Sequence, residues 1–157
     1  MDGRIKIVFI LGIAFAAYKV SRASAYENVR AVIDVAKANH PIVSDIPSGL
    51  VLGLILQESG GNPNATGAAG EYGLMQIMPG TWDYVTGKYG LNYAGLQYES
   101  YQNVVVGMYY LVDVRNDIDG FSWIDAIQAY NLGASGFKQG RRNWPYFFGV
   151  IKKWIMA

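Results

Sequence analysis

The sequence predicts a mainly α-helical protein, in which one helical domain follows an N-terminal hydrophobic helix. Apolar residues recur at helical spacing in most segments, and short breaks rich in glycine or proline separate these segments. No segment shows the alternation of apolar and polar residues that is typical of a half-buried strand. The 157 residues suffice for about one domain. We therefore expect at most a small β-hairpin, between residues 66 and 78.

The first two helices of the domain are predicted to be one amphipathic helix and one buried helix. Residues 25–39 carry apolar side chains on one face and charged ones on the other, and Pro41 ends the pattern. Ser48 then begins "SGLVLGLILQES", which is apolar all round and therefore suits the centre of a domain. A buried strand is the alternative for such a run, but its length and the following Gly60-Gly61 favour a helix.

Four further helices follow in the sequence. "TWDYVTGKYG" predicts a short helix opened by Thr81, with Asp83 in its first turn, and "YESYQNVVVGMYYLVDVRNDI" predicts a long one. Ser122 and Asp125 have the spacing of a capping box, and this helix is expected to stop at Gly133. "NWPYFFGVIKKWIM" closes the chain as an amphipathic helix.

The composition excludes several classes of protein and site. The formal net charge of +1 is too small for strong steering towards nucleic acid, so we expect no nucleic-acid partner. Since the chain has no cysteine, it can form neither a disulfide framework nor a thiolate zinc site. The single histidine, His40, precedes a proline and is expected to be a solvated residue at a helix end. We therefore predict no metal and no cofactor.

The N-terminus carries an unbroken apolar run, Ile7 to Tyr18, with basic residues on both sides. It suits a signal peptide with cleavage near Ala25, because the small residues Ala23-Ser24-Ala25 follow. It also suits a membrane anchor over residues 5–20, although such a helix would span only ~24 Å of a hydrocarbon core about 30 Å thick. We favour the anchor. Residues 1–24 are thus predicted as an anchor or signal segment, and residues 25–157 as the domain.

Glu58 is the carboxylate with the most unusual predicted position. At the last turn of a buried apolar helix it is desolvated and faces the negative end of the helix dipole, and both effects raise its pKa. A carboxylic acid that keeps its proton suits the cleavage of glycosidic bonds, because the leaving oxygen must be protonated. The alternative is a glutamate that merely reaches solvent at a helix end. The glycine-rich loop that follows offers neutral hydrogen-bonding groups suited to sugars, among them Asn62, Asn64, Thr66 and Gln76.

Several motifs occur in a characteristic order: "ES" at 58–59, "NP" at 62–63, "GLMQIMPGTW" at 73–82 and "AYNLG" at 129–133. In these motifs the chain resembles the catalytic domain of the soluble-type lytic transglycosylases, relatives of goose-type lysozyme, over roughly residues 45 to 140. The resemblance implies a lysozyme-like helical domain that cleaves the bond between N-acetylmuramic acid (MurNAc) and N-acetylglucosamine (GlcNAc) in peptidoglycan. It further implies a cleavage without hydrolysis or cofactor, in which the muramic residue closes a 1,6-anhydro ring.

The resemblance also implies roles for individual residues. Glu58 matches the catalytic acid and base of the family. The expected substrate contacts are Ser59, Thr66, Gly73, Leu74, Met75, Gln76, Tyr130 and Asn131. Core packing is the alternative for Leu74 and Met75, and a buried tyrosine with a satisfied hydroxyl is the alternative for Tyr130.

Two positions depart from the family pattern. Gly67 stands where members often have a serine, so any role of that hydroxyl is lost or is taken over by Thr66. Glu71 stands where a small residue is usual, and it is either solvated or a second carboxylate at the rim of the cleft. If Glu71 or Asp83 positions a water molecule, the chain would instead be a hydrolytic lysozyme. A wall-binding or assembly protein without activity is a further alternative.

The expected location is the cell envelope. Peptidoglycan strands are the predicted partner, and residues 5–20 would hold the domain on a membrane with its catalytic part facing the periplasm and wall. Secretion after cleavage near Ala25, or the internal membrane of a phage virion, are the alternatives, and components of a virion or secretion apparatus are possible partners. Downstream of Phe121 five basic residues accompany one acid, Asp125, which predicts a solvated basic face or a face that rests on an anionic membrane or wall polymer.

Overall fold

The computed structural model describes residues 25–119 and 122–156, and these residues are mainly helical. The elements are α1 (25–39), a short 3₁₀ turn (Pro41–Val43), α2 (Ser48–Glu58), α3 (Pro79–Tyr89), α4 (Ser100–Asp117), α5 (Trp123–Lys138) and α6 (Trp144–Met156). The predicted hairpin region holds only two isolated bridges, Thr66 with Tyr72 and Tyr72 with Ile77. The mainly α-helical class is confirmed, while the expected N-terminal hydrophobic helix lies outside the described residues.

Helix α2 runs through the centre of the domain, as its uniform apolarity predicts. Its residues 50–56 are all buried. Helix α6 packs closely against it, because a Cβ atom at Gly53 would lie 2.9 Å from the backbone oxygen of Val150. The side chain of Trp154 covers both Gly53 and Gly49. The glycines of α2 thus allow close approach of α6, which fixes α6 relative to the end of α2 that carries Glu58.

Helix α4 supports both its neighbours in the chain. Its buried Asp113 accepts hydrogen bonds from Lys88 Nζ at 2.7 Å and from the Tyr89 hydroxyl at 2.6 Å, which ties α3 to α4. Burial and the bond to Asp113 raise the pKa of Tyr89 to about 12. Tyr110, one turn before Asp113, meets Tyr130 of α5 edge to face, with ring centroids 5.3 Å apart.

The structure corrects the predicted limits of two helices. Helix α3 begins at Pro79 and not at Thr81. Proline is favoured at the first helical position, because the N–H that it lacks would have no hydrogen-bond partner within the helix there. No acidic residue lies in its first turn, so the expected role of Asp83 there is wrong. Ser122 caps α5 as predicted and accepts a hydrogen bond from the Asp125 N–H. That helix kinks at Gly133 (φ 69°, ψ 151°) and then continues to Lys138.

His40 is not the solvated residue that its sequence position suggests. Its Nδ1 lies 3.0 Å from the Tyr109 hydroxyl, and its Nε2 lies 3.1 Å from the Tyr101 hydroxyl. Partial burial lowers the pKa of His40, which favours the neutral ring. The histidine therefore joins the end of α1 to helix α4. Within the described ranges, no helix is both long enough and apolar enough to cross a membrane.

Candidate active site

A cleft of about 410 Å³ opens at the C-terminal end of α2. Glu58, the last residue of that helix, lies in it. The loop between α2 and α3 forms one wall, with Gln76 among its lining residues, and Tyr130 and Asn131 of α5 line the other. The structure therefore brings four of the predicted site residues together around one cavity, although they come from three separate parts of the chain.

The carboxyl group of Glu58 is partly buried and directly hydrogen-bonded. The Tyr146 hydroxyl donates a hydrogen bond to its Oε1. Burial raises the pKa of Glu58, the Tyr146 bond lowers it, and the negative charge of Glu71 raises it, so that the net shift is upwards. The shift has the direction expected from the apolar helix, and it favours a carboxyl group that retains its proton.

Tyr146 is a site residue that the sequence analysis missed. It is buried on α6, and its backbone N–H donates to Asn143 Oδ1 at 3.1 Å. Burial, together with the negative charge of Glu58, holds the pKa of Tyr146 well above its usual value, so its hydroxyl remains a donor. The only sequence signal is its place in the aromatic stretch "WPYFF", and nothing in that stretch points to a residue 88 positions away.

Gln76 is held in an uncommon backbone conformation by its own side chain. Its φ of 48° lies in the left-handed region, which non-glycine residues adopt rarely. The amide Nε2 donates to the backbone oxygens of Ala65 at 3.2 Å and Gly73 at 2.9 Å, so both of its N–H bonds are used within the loop. The side-chain carbonyl oxygen is then the part of Gln76 that remains for a ligand, and it can only accept.

Asn103 of α4 fastens this loop to the domain. Its side chain is fully buried, accepts from the Met75 N–H at 2.8 Å, and donates to the backbone oxygens of Tyr72 at 3.0 Å and Gln97 at 2.9 Å. Gly73 must be a glycine here, because its φ is 77° and a Cβ atom would collide with the Asn103 amide. Sequence reasoning missed Asn103, whose position directly before a run of apolar residues is its only distinguishing feature.

Leu74 and Met75 belong to the core and do not line the cleft. Both side chains are buried, and that of Met75 packs against Gly107 of α4. The Met75 backbone oxygen accepts a hydrogen bond from the Tyr130 hydroxyl at 2.8 Å. Both side chains are therefore packed as the core-packing alternative expects, and a substrate contact at these positions stays a prediction. Tyr130 lines the cleft while its hydroxyl is satisfied by the loop backbone.

Ser59 and Thr66 likewise lie outside the cleft lining, as does Gly73. Ser59 Oγ donates to the Ile55 backbone oxygen at 3.1 Å and accepts from the Gly61 N–H at 3.2 Å, which caps the end of α2. Thr66 Oγ1 is 3.1 Å from the Tyr98 hydroxyl. That Thr66 takes over the hydroxyl that Gly67 lacks stays a prediction.

Two further groups complete the site. Glu71 lines the cleft, and its Oε2 accepts a hydrogen bond from the Ala69 N–H at 3.1 Å. Asn131 Oδ1 accepts from Asn143 Nδ2 at 2.8 Å, which links the cleft wall on α5 to the start of α6. Among the described residues, no three histidine or acidic side chains are grouped so that they could hold a metal ion. The arrangement suits acid–base chemistry by one carboxyl group on a polar ligand.

Comparison with known proteins places this site in a family. The family model described as the transglycosylase SLT domain matches residues 43–144. The 70 kDa soluble lytic transglycosylase from Escherichia coli is 29% identical over 68% of this chain, with a TM-score of 0.54. An inactive glutamate-to-glutamine mutant of the lytic transglycosylase Slt from Pseudomonas aeruginosa is 26% identical over 78% of this chain, with a TM-score of 0.59.

A third similar structure is the complex of the 70 kDa soluble lytic transglycosylase with bulgecin A, which is 28% identical over 68% of this chain with a TM-score of 0.53. This chain covers only 19% to 20% of the length of these three proteins. The family model nevertheless includes the end of α2, the loop with Gln76 and the wall formed by α5. By this match and by its fold, the chain belongs to the transglycosylase SLT domain family.

Proposed function

We propose that the protein is a peptidoglycan lytic transglycosylase, which cleaves the β-1,4 bond between MurNAc and GlcNAc and leaves a 1,6-anhydro-MurNAc end. The observation that carries this proposal is the partly buried Glu58, whose pKa is raised and whose Oε1 accepts the Tyr146 hydrogen bond in a cleft of suitable chemistry. Membership of the SLT family and the structural similarity to lytic transglycosylases support it.

In the proposed mechanism, one carboxyl group acts twice. Glu58 first donates its proton to the glycosidic oxygen as the bond to the muramic C1 breaks. The resulting carboxylate then removes the proton from the muramic C6 hydroxyl, whose oxygen closes onto C1. The acetamido group of the substrate and the cleft dipoles would stabilise the positive charge that develops at C1. The Tyr146 hydroxyl stabilises the carboxylate between the two steps, because it donates to the charged form.

Mass spectrometry of muropeptides tests this proposal. Purified sacculi treated with the protein should release anhydro-muropeptides, and the Glu58→Gln variant should release none above background. Glu99→Gln serves as the control, because it removes the same charge from an exposed position outside the cleft. Products with reducing muramic ends alone would instead identify a hydrolytic lysozyme. Sacculus binding without any soluble product would identify a wall-binding protein.

We also propose that the domain works next to a membrane, held there by residues 5–20. The outer face of α6 supports this location. Trp144, Phe148 and Ile155 are 53%, 62% and 80% exposed and follow one another at helical spacing. The exposed Arg141 and Arg142 precede this helix and the exposed Lys152 lies within it, and an exposed helix face with aromatic and basic residues is typical of proteins that lie on anionic lipid. A small catalytic domain on a membrane suits local opening of the wall by a virion or a secretion apparatus.

Two experiments test this location. N-terminal sequencing of the mature protein separates a retained anchor from a segment cleaved near Ala25. Flotation of residues 25–157, which lack the proposed anchor, with vesicles of neutral or anionic lipid at low and high salt measures the contribution of the basic face. Replacing Trp144 and Phe148 by serine should weaken binding to anionic vesicles. Equal flotation of variant and wild type would exclude a membrane role for α6.

A further inference from the structure

Glu71 and Gln76 place two acceptor oxygens close together in the catalytic cleft. A Cβ atom at Gly67 would overlap Glu71 Oε2 and would lie 3.0 Å from Gln76 Oε1. The two oxygens therefore lie within about 5 Å of each other, which one small molecule can bridge because each hydrogen bond is about 2.8 Å long. Both residues line the same cleft as Glu58.

The chain fixes the Glu71 carboxylate at this position. The Ala69 N–H donates to its Oε2 at 3.1 Å, and the Gly67 N–H donates to the Glu71 backbone oxygen at 2.8 Å. A side chain at position 67 would occupy the space that the carboxylate fills. Glycine at 67 and glutamate at 71 therefore form one arrangement, in which the acid takes the place of a side chain at 67.

The chemistry of the two oxygens selects their ligand. Glu71 is an acceptor when ionised, and both N–H bonds of Gln76 are already used by backbone oxygens, so that its Oε1 can only accept. A sugar hydroxyl has one proton and satisfies only one of them. A water molecule donates to both and keeps its lone pairs free, which is the orientation of a nucleophile. We infer that Glu71 and Gln76 hold a water molecule which competes with the muramic C6 hydroxyl, so that part of the product is hydrolysed.

This inference rests on the proposed transglycosylase function, since both products come from the same first step. The bond between C1 and the glycosidic oxygen breaks, and Glu58 supplies the proton to that oxygen. In the hydrolytic branch, the water oxygen forms a bond to C1 and one of its protons passes to the Glu71 carboxylate. The product is a muramic residue with a free reducing end. Proton exchange with solvent then restores protonated Glu58 and ionised Glu71.

The test counts the two kinds of new ends. Sacculi are first reduced with borohydride to remove existing reducing ends and are then digested with the full-length protein. New reducing ends are labelled with borodeuteride, which does not react with anhydro ends, and mass spectrometry quantifies both. We expect both products from the wild type. With each protein compared at its own pH optimum, Glu71→Gln should lower the ratio of reducing to anhydro ends at least about tenfold, since a general base typically contributes 100-fold or more.

Two further variants separate the effect of the position of the Glu71 carboxylate from the effect of removing a negative charge. Gly67→Ser keeps Glu71 but displaces its carboxylate, so it should also lower the fraction of reducing ends. Glu99→Gln removes an exposed carboxylate and should leave the ratio unchanged. Anhydro ends alone from the wild type, or an unchanged ratio in Glu71→Gln, would overturn the inference and leave the proposed function intact. A wild type that forms neither kind of end would overturn both.

Discussion

The Tyr146 hydroxyl of α6 donates a hydrogen bond to Glu58 Oε1 at the end of α2. This bond works against burial, which is the larger influence on the carboxyl group: burial raises the pKa of Glu58 and the bond lowers it. Such a balance suits a group that must first give up a proton and then accept one. The position of α6 on α2 thereby affects the proton affinity of the candidate catalytic acid.

Replacing Glu58 by glutamine should abolish activity and increase stability at neutral pH. A loss of at least about 100-fold is expected, because an amide cannot supply the proton. Folding raises the pKa of Glu58, so the wild type loses stability as pH rises through that pKa, and glutamine does not. Thermal unfolding should show a higher melting temperature for the variant at pH 7. The difference in melting temperature should shrink below pH 4.5, the ordinary pKa of glutamate. An equal difference at pH 7 and below pH 4.5 would contradict a raised pKa of Glu58.

Replacing Tyr146 by phenylalanine should move the pH profile upwards. Without the donor, the ionised form of Glu58 loses stabilisation and its pKa rises. The alkaline limb of kcat/KM, where activity falls as Glu58 ionises, should therefore lie at higher pH than in the wild type. The maximal rate should fall by about tenfold, because the carboxylate is less stabilised between the two steps. A fall in rate with an unmoved limb would indicate a purely structural role for Tyr146.

Replacing Glu71 by glutamine should move the same limb in the opposite direction. The negative charge of Glu71 raises the pKa of Glu58, and its removal therefore lets Glu58 ionise at lower pH. The pH dependence of anhydro-product formation measures this shift. Since the interaction is electrostatic, the shift should diminish at high salt. A limb that moves upwards would show that Glu71 does not act on Glu58 through its charge.

Replacing Asn103 by alanine should loosen the loop that carries Gln76. Three backbone groups would lose a hydrogen bond, at the buried Met75 and the partly buried Tyr72 and Gln97, with a cost of about 3 kcal/mol in the free energy of unfolding. Urea unfolding measures this loss, and Asn116→Ala on the exposed face of the same helix is the matched control. Unfolding curves that coincide for the Asn103 variant and its control would contradict the anchoring role.

Removing the Tyr130 hydroxyl should destabilise the protein without changing its pH profile. In Tyr130→Phe the buried Met75 backbone oxygen loses the partner now 2.8 Å away, which should cost about 1 kcal/mol. Urea unfolding checks the cost, and kcat/KM across pH checks that the alkaline limb stays in place. A displaced limb would show that Tyr130 acts on Glu58 directly.

Much of the fold could be predicted because it depends on local patterns. The uniform apolarity of residues 48–58 predicts a central helix, and the spacing of Ser122 and Asp125 predicts the start of α5. Position within a helix also predicts the direction of the pKa shift of Glu58. The predicted start of α3 at Thr81 is two residues late, because threonine is a common helix cap while the first helical residue here is Pro79.

The missed site residues have a different cause. Asn103 and Tyr146 act through contacts with residues that are distant in the sequence, and no local pattern in a single sequence identifies such a partner. The substrate contacts expected at Leu74 and Met75 came from a motif, which does not distinguish side chains facing the ligand from those facing the core. The structure resolves this difference because it gives the direction of each side chain.

The close packing of α6 on the glycines of α2 has a consequence for the order of synthesis. A ribosome makes Glu58 88 residues before Tyr146, so a nascent chain carries the carboxyl group long before its hydrogen-bond donor exists. Helix α2 must also remain without its packing partner until α6 has been synthesised, because the backbone of Val150 in α6 fills the space over Gly53. The candidate site is therefore complete only after most of the domain has been synthesised, because α6 supplies both the hydrogen-bond donor to Glu58 and the backbone that packs over Gly53.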